Sequence, residues 1–171
     1  LFLFAFPEFG YPGVDKAGDP IMKPLIIYQS KTGNTRVIAD TIASTLNADV
    51  LFIENVTTDD LKDRDLVGFG SGIYWTKIDK RIYDFTSFLS QECNVFIFIT
   101  SGFGFPLMLN LYWYMIQRKI DRLGLNLIGK WDCRGYDKHP LSKWMGISKE
   151  HPNNDDIEKA QQFAIKMKKH L

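Results

Sequence analysis

The stretch Pro24-Leu25-Ile26-Ile27-Tyr28-Gln29-Ser30-Lys31-Thr32-Gly33-Asn34-Thr35 joins two segments of different period. Pro24 to Tyr28 is a short β-rich run, apolar on both faces, as a central parallel strand covered by helices requires. From about Thr35 to Leu46, residues Val37, Ile38, Ile42, Ala43 and Leu46 recur at helical spacing and predict one buried stripe. The loop between them precedes a helix amino terminus, where backbone N–H groups without intrahelical partners and the positive end of the helix dipole favour an anion. The hydroxyls of Ser30, Thr32 and Thr35 and the carboxamide of Asn34 add donors, and Gly33 lets the backbone approach closely. The loop lacks the terminal Gly-Lys-Ser/Thr of triphosphate loops and the Gly-x-Gly-x-x-Gly of dinucleotide binders, so a monophosphate is the better match. An ordinary strand-to-helix turn with a threonine cap is the competing reading.

Outward from this junction the same alternation repeats. A second strand spans Asp49 to Ile53, followed by Thr57-Thr58-Asp59-Asp60-Leu61, where a threonine or aspartate can cap a short helix. A third strand, Leu66 to Gly70, opens into Ser71-Gly72-Ile73-Tyr74-Trp75-Thr76-Lys77, and a helix from about Asp79 to Leu89 is expected to face Ile82, Phe85, Phe88 and Leu89 to the core. The fourth strand, Asn94 to Ile99, ends at Thr100-Ser101-Gly102-Phe103-Gly104. Residues 107–122 form a helix, Leu125 to Trp131 the fifth strand, and Asp155 to Lys169 a final helix capped near Asn153 or Asn154. Five strands alternating with helices predict an α/β, doubly wound five-stranded parallel sheet of order 2-1-3-4-5 with helices on both faces. In that architecture ligands bind beyond the carboxyl ends of the strands, where the winding reverses between strands one and three.

Bulk properties narrow the function class. The chain has 171 residues, enough for one core, and 21 Lys and Arg nearly balance 20 Asp and Glu, a formal charge of +1. That balance gives no electrostatic footprint for nucleic acid or an anionic membrane, and points to small-molecule or protein partners. No apolar run approaches the roughly 18–20 residues that span a bilayer. The two cysteines, Cys93 and Cys133, are far apart and read as reduced thiols of a cytoplasmic protein. Residues 1–21, with Pro7, Gly10, Pro12, Gly13, Gly18 and Pro20, read as an irregular extension ahead of a domain over 22–171.

The segment Tyr28-Gln29-Ser30-Lys31-Thr32-Gly33-Asn34-Thr35 resembles the Ser/Thr-x-Thr-Gly-x-Thr fingerprint with which flavodoxins hold the phosphate of flavin mononucleotide (FMN), in the same place after the first strand. The resemblance extends from about Met22 to the end, since the number and order of elements agree. It implies side-chain contacts from Ser30, Thr32, Asn34 and Thr35 and mainly backbone contacts from Lys31 and Gly33. It implies a flavin ring held between the loops after strands three and four: here Ser71, Gly72, Ile73, Tyr74 and Trp75 on one side, and Thr100, Ser101, Gly102, Phe103 and Gly104 on the other. Tyr74 and Trp75 offer flat surfaces for stacking, with packing on the next helix as the alternative. The pattern departs from many flavodoxins in that the loop after strand four has neither an acidic residue nor a tyrosine, and the chain is not strongly acidic.

The expected function is noncovalent FMN binding and electron transfer with a reductase and an acceptor protein, requiring no acid–base residue and no metal. An FMN-dependent NAD(P)H:quinone or small-molecule reductase, and a flavin-free accessory module that retains the fold, are the other readings. Cys133 lacks a partner cysteine or adjacent histidine and reads as an inert thiol. His139 and His151 each precede proline, have no metal-ligand spacing, and read as surface loop residues. Trp144 is a candidate for closing the flavin edge of the sheet.

Overall fold

The computed structural model describes residues 22–73, 78–102, 106–136 and 150–170; the expectations for residues 1–21, His139 and Trp144 fall outside them. Five strands, β1 (Leu25–Gln29), β2 (Asp49–Phe52), β3 (Leu66–Gly72), β4 (Asn94–Ser101) and β5 (Asn126–Arg134), form one sheet of order β2-β1-β3-β4-β5, parallel throughout. The described helices are α1 (Asn34–Leu46), α2 (Lys80–Thr86), α3 (Pro106–Arg122) and α4 (Asn154–Lys168). None is long and apolar enough to cross a membrane.

Alternation along the central strands feeds two cores. Ile26, Tyr28, Leu66, Phe96 and Phe98 face α1 and α4, meeting Ile38, Ile42, Ala160 and Phe163. Leu25, Ile27, Val67, Phe69, Val95, Ile97 and Ile99 face α2 and α3, meeting Ile82, Trp113, Ile116 and Ile120. Each such side chain taken fully out of water contributes about 1.5–3 kcal/mol, which is why strands buried on both faces read as unbroken apolar runs. Gly68 and Gly70 of β3 lie directly beside Phe96 and Phe98 of β4. A Cβ on either glycine would stand 2.2 Å from the neighbouring ring, so the strand stays bare where the rings cross it.

Three sequence expectations are corrected. Val37 is 45% exposed rather than part of the α1 stripe. It sits about 200° around the helix from Thr35, and Ala39 takes its place in the core beside Ile38, Ile42, Ala43 and Leu46. Phe88 is 56% exposed, because α2 stops at Thr86 and Phe88 no longer continues its buried face. β3, β4 and β5 each run two to three residues further than their apolar runs. Ser71, Gly72, Thr100, Ser101 and Cys133 are therefore strand residues, with the ladder carried on through Ser71↔Ile99, Gly72↔Thr100 and Thr100↔Cys133. The hydroxyls of Ser71 and Thr100 are tolerated at these buried tails because they find partners.

The last helix starts with a full capping box: Asn153 accepts from the Asp156 backbone N–H, and the Asp156 carboxylate accepts from the Asn153 N–H. The short helix expected after Thr57 is a single 3-10 turn, Asp59–Leu61. Its clasp runs opposite to a threonine cap, since the Asp60 carboxylate accepts from both the backbone and the hydroxyl of Thr57.

Candidate functional site

β1 leaves the sheet at Gln29 and the chain enters α1 at Asn34, so the four residues Ser30 to Gly33 make the whole turn. Gly33 is the residue before the helix, with φ 94, a left-handed conformation that side chains other than glycine's resist. Nothing lies within 4 Å of where a Cβ would stand on it. The first helical bond runs from the Val37 N–H to the Gly33 carbonyl, so the N–H groups of Asn34, Thr35 and Arg36 precede the ladder. The cap position is a glycine, so no cap side chain closes this end, and no threonine occupies that position. The Gly33 N–H instead donates to Ser30 Oγ at 3.1 Å, folding the turn upon itself while leaving the Ser30 proton available as a donor.

Beneath the turn, Thr35 is buried and its hydroxyl lies 2.7 Å from that of Thr100 at the end of β4. One proton fills that bond and the other remains to be donated. The Ile73 N–H donates to the Thr100 carbonyl, so the tails of β3 and β4 and the first turn of α1 are joined. The Ser71 hydroxyl donates to the Gly72 carbonyl and accepts from the Asp79 N–H, tying β3 to the start of α2. Asp79 caps α2 through the Arg81 N–H and also receives the Arg81 guanidinium. That guanidinium, with the backbone bond and the charge of Lys31 from the β1–α1 turn, holds the Asp79 carboxyl below the ordinary carboxylate value against the opposing effect of burial.

The Asn34 side chain has a further task. Its amide donates to the Tyr136 carbonyl at 2.8 Å, reaching the segment that follows β5. There the Gly135 N–H donates to the Ser101 carbonyl, and the Tyr136 N–H to the His151 carbonyl. A Cβ on Gly135 would stand 2.7 Å from Asn34 Nδ2, so glycine is what allows this close crossing. His151 is thereby drawn in rather than left as a surface loop residue: it is half-buried and its Nδ1 is 2.6 Å from Asp156 Oδ2. Beside it a cavity of about 560 Å³ opens at the β5 edge, its lining including Ser101, Trp113, Trp131, Cys133, Arg134 and His151.

Gln29 is 5% exposed, and its Oε1 is a buried acceptor with no hydrogen-bond partner among the described residues. An acceptor in that state costs about 1–3 kcal/mol unless a donor reaches it. Sequence reasoning passed over Gln29, Gly135, Tyr136 and Asp156. The signal for Gln29 was present as a polar residue closing an apolar strand; the others depend on pairings far apart in the chain.

The structure brings Ser30, Lys31, Thr32, Gly33, Asn34 and Thr35 together with Ser71, Gly72, Ile73, Thr100, Ser101 and Gly102 at the carboxyl ends of β1, β3 and β4. Tyr74, Trp75, Phe103 and Gly104 lie outside the described residues. Both cysteines are buried: burial pushes the Cys93 thiol up to about 12, and burial with the charges of Asp156 and Asp132 pushes Cys133 up as well. Thiols so shifted are poor nucleophiles at neutral pH.

Comparison with known proteins bears on this arrangement. A family model described as a flavodoxin domain matches residues 25–101. An uncharacterised protein of Methanocaldococcus jannaschii is 41% identical over 145 residues, covering 84% of this chain and 96% of that protein. Among solved structures, oxidised flavodoxin 1 from Bacillus cereus superposes with a TM-score of 0.65 at 18% identity, covering 87% of this chain and 99% of that one. A flavodoxin from the domain Archaea gives 0.60 at 18% identity, covering 86% and 97%. At that level of identity the structural likeness speaks to the fold.

Proposed function

The chain belongs to the flavodoxin family, and from that premise we propose that it holds FMN noncovalently and serves as an electron carrier. One observation carries the reading: at the point where the winding reverses between β1 and β3, α1 presents its uncapped amino end beneath an open, left-handed Gly33.

The donor set fits the cofactor. The N–H groups of Asn34, Thr35 and Arg36 and the hydroxyls of Ser30 and Thr32 would hold the phosphate, a set of neutral donors suited to a single dianion. The Thr35–Thr100 pair keeps one hydroxyl hydrogen free to donate a further hydrogen bond to the same group. Gln29 Oε1 would accept from a hydroxyl of the ribityl chain, which answers its lack of a partner. Ile73 and Gly102, at the tails of β3 and β4, would flank the ring. When bound, FMN supplies one- and two-electron redox chemistry. The chain's own part is to bind, to orient and to exclude water; none of its side chains has to move a proton for this role.

The test takes purified protein loaded with FMN, reduced chemically under argon and mixed with a one-electron acceptor such as oxidised cytochrome c. A carrier delivers its electrons stoichiometrically and shows only slow oxidation of NADH or NADPH in the presence of a quinone. Rapid catalytic turnover of either nucleotide would replace the carrier reading with that of a reductase, and failure to take up FMN would end both.

A further inference from the structure

We propose that the outer face of α3 is a docking surface for an acidic protein partner. Trp113, Ile116 and Ile120 turn the inner face of this helix into the core. On the outer face Leu111, Tyr114 and Met115 are 58%, 58% and 55% exposed, and the same stripe continues into Arg118, Lys119 and Arg122. A groove of about 320 Å³ runs between α3 and Tyr83 of α2, lined by Tyr83, Tyr114, Met115, Arg118, Lys119 and Arg122.

Its charge is of one sign. Among the described residues none of the three cations is in an ion pair, and no carboxylate lines the groove. Asp121, on the same helix, accepts from Gln117 instead. Two of the cations lie over rings: the Arg118 guanidinium is 5.7 Å from the centre of Tyr114, and the Lys119 ammonium 5.9 Å from that of Tyr83. Such contacts cost the cations none of their charge and pre-order them for a carboxylate. In a chain whose formal charge is only +1, this concentration is local.

A matching occupant presents carboxylates to Arg118, Lys119 and Arg122 and an apolar side chain to Leu111 and Met115; Met adapts readily to varied shapes. The apolar half offers nothing to a phosphate backbone, and three cations are few for nucleic acid. Three exposed apolar side chains on a helix otherwise committed to the core give little insertion into a bilayer. A protein surface uses both halves.

The experiment titrates the ¹⁵N-labelled full chain with a synthetic amphipathic peptide of leucine and glutamate, and separately with its lysine counterpart, heparin and phosphatidylglycerol vesicles. The acidic peptide should shift amides over 111–122 and at Tyr83, more strongly at low salt. The doubly reversed variant R118E/R122E should weaken it about tenfold or more, while K168E on α4 leaves it unchanged; all three positions are exposed, and circular dichroism checks that the variants fold. Equal binding of the lysine peptide, shifts elsewhere, no binding of the acidic peptide, or an undiminished response of the reversed variant would overturn the proposal. Binding of heparin or vesicles at these residues without the acidic peptide would replace it with a polyanion or membrane site. FMN uptake by R118E/R122E, measured alongside, is expected to be unchanged and separates this proposal from the flavin reading.

Discussion

Thr35 illustrates what one residue can and cannot disclose. Its place in a run of hydroxyls and glycine is what makes residues 30–35 the proposed phosphate loop, and that run is legible from the sequence alone. Its buried bond to Thr100, 65 positions away, depends on the folded sheet. Thr35→Val should therefore cost about 1–3 kcal/mol in urea denaturation, by leaving the Thr100 hydroxyl buried without a partner. Thr35→Val with Thr100→Val should recover most of that loss; additive losses would show that the two hydroxyls do not act as a pair. For the same reason Thr32, only half-buried, is the cleaner position for testing phosphate contacts. The thiols give a second prediction at this scale. Their folded values are raised above the ordinary 9.0, so their contribution to stability is whole below pH 9 and is lost as pH rises beyond it, toward about 12 for Cys93. A denaturant midpoint without a thiol-dependent fall up to pH 9, followed by a decline that Cys93→Ala reduces, is the expected profile. Native protein at pH 8 should label slowly with a thiol reagent and show both cysteines only when unfolded; prompt native labelling would contradict the burial.

Among the elements, order and type were legible because strands buried on both faces must be apolar, and β1, β3 and β4 are. Their tails were not, because Ser71, Thr100 and Ser101 look like loop chemistry until the neighbouring strand supplies their partners. Phe88 misled for a related reason: an apolar residue in register with a helix face counts for nothing once the helix has ended at Thr86. The bare surface of β3 makes a sharp prediction. Gly70→Ala forces a Cβ against the Phe98 ring and should destabilise by about 1–3 kcal/mol, seen as a lower melting temperature; an unchanged melting temperature would mean the ring moves aside freely. The segment after β5 predicts a functional consequence. Gly135→Ala should displace the Asn34 amide from the Tyr136 carbonyl and weaken FMN binding several-fold, whereas Asn34→Ala in the same background should add little. Independent, additive losses would show that the crossing of these two segments does not hold the phosphate turn.

At the scale of the whole molecule, the sheet order places three strand ends around one helix amino terminus, and the near-neutral charge leaves the use of the site to local features. The turn proposed to take the phosphate was readable in sequence because a single short segment, residues 30–35, carries it. Gln29, the Asn34 crossing and the His151–Asp156 contact were not, because each joins separate parts of the fold. The central claim is that the β1–α1 turn recognises a phosphate. Calorimetric titration of flavin-free protein with FMN and with riboflavin, for the native chain and for S30A/T32A, tests it most directly. Charge-assisted bonds to phosphate of about 1.5–3 kcal/mol each predict that FMN binds the native chain about 100-fold or more tighter than riboflavin. The double variant should lose most of that preference while binding riboflavin as before. Equal affinity of the native chain for the two flavins, or equal losses for both in the variant, would contradict the account.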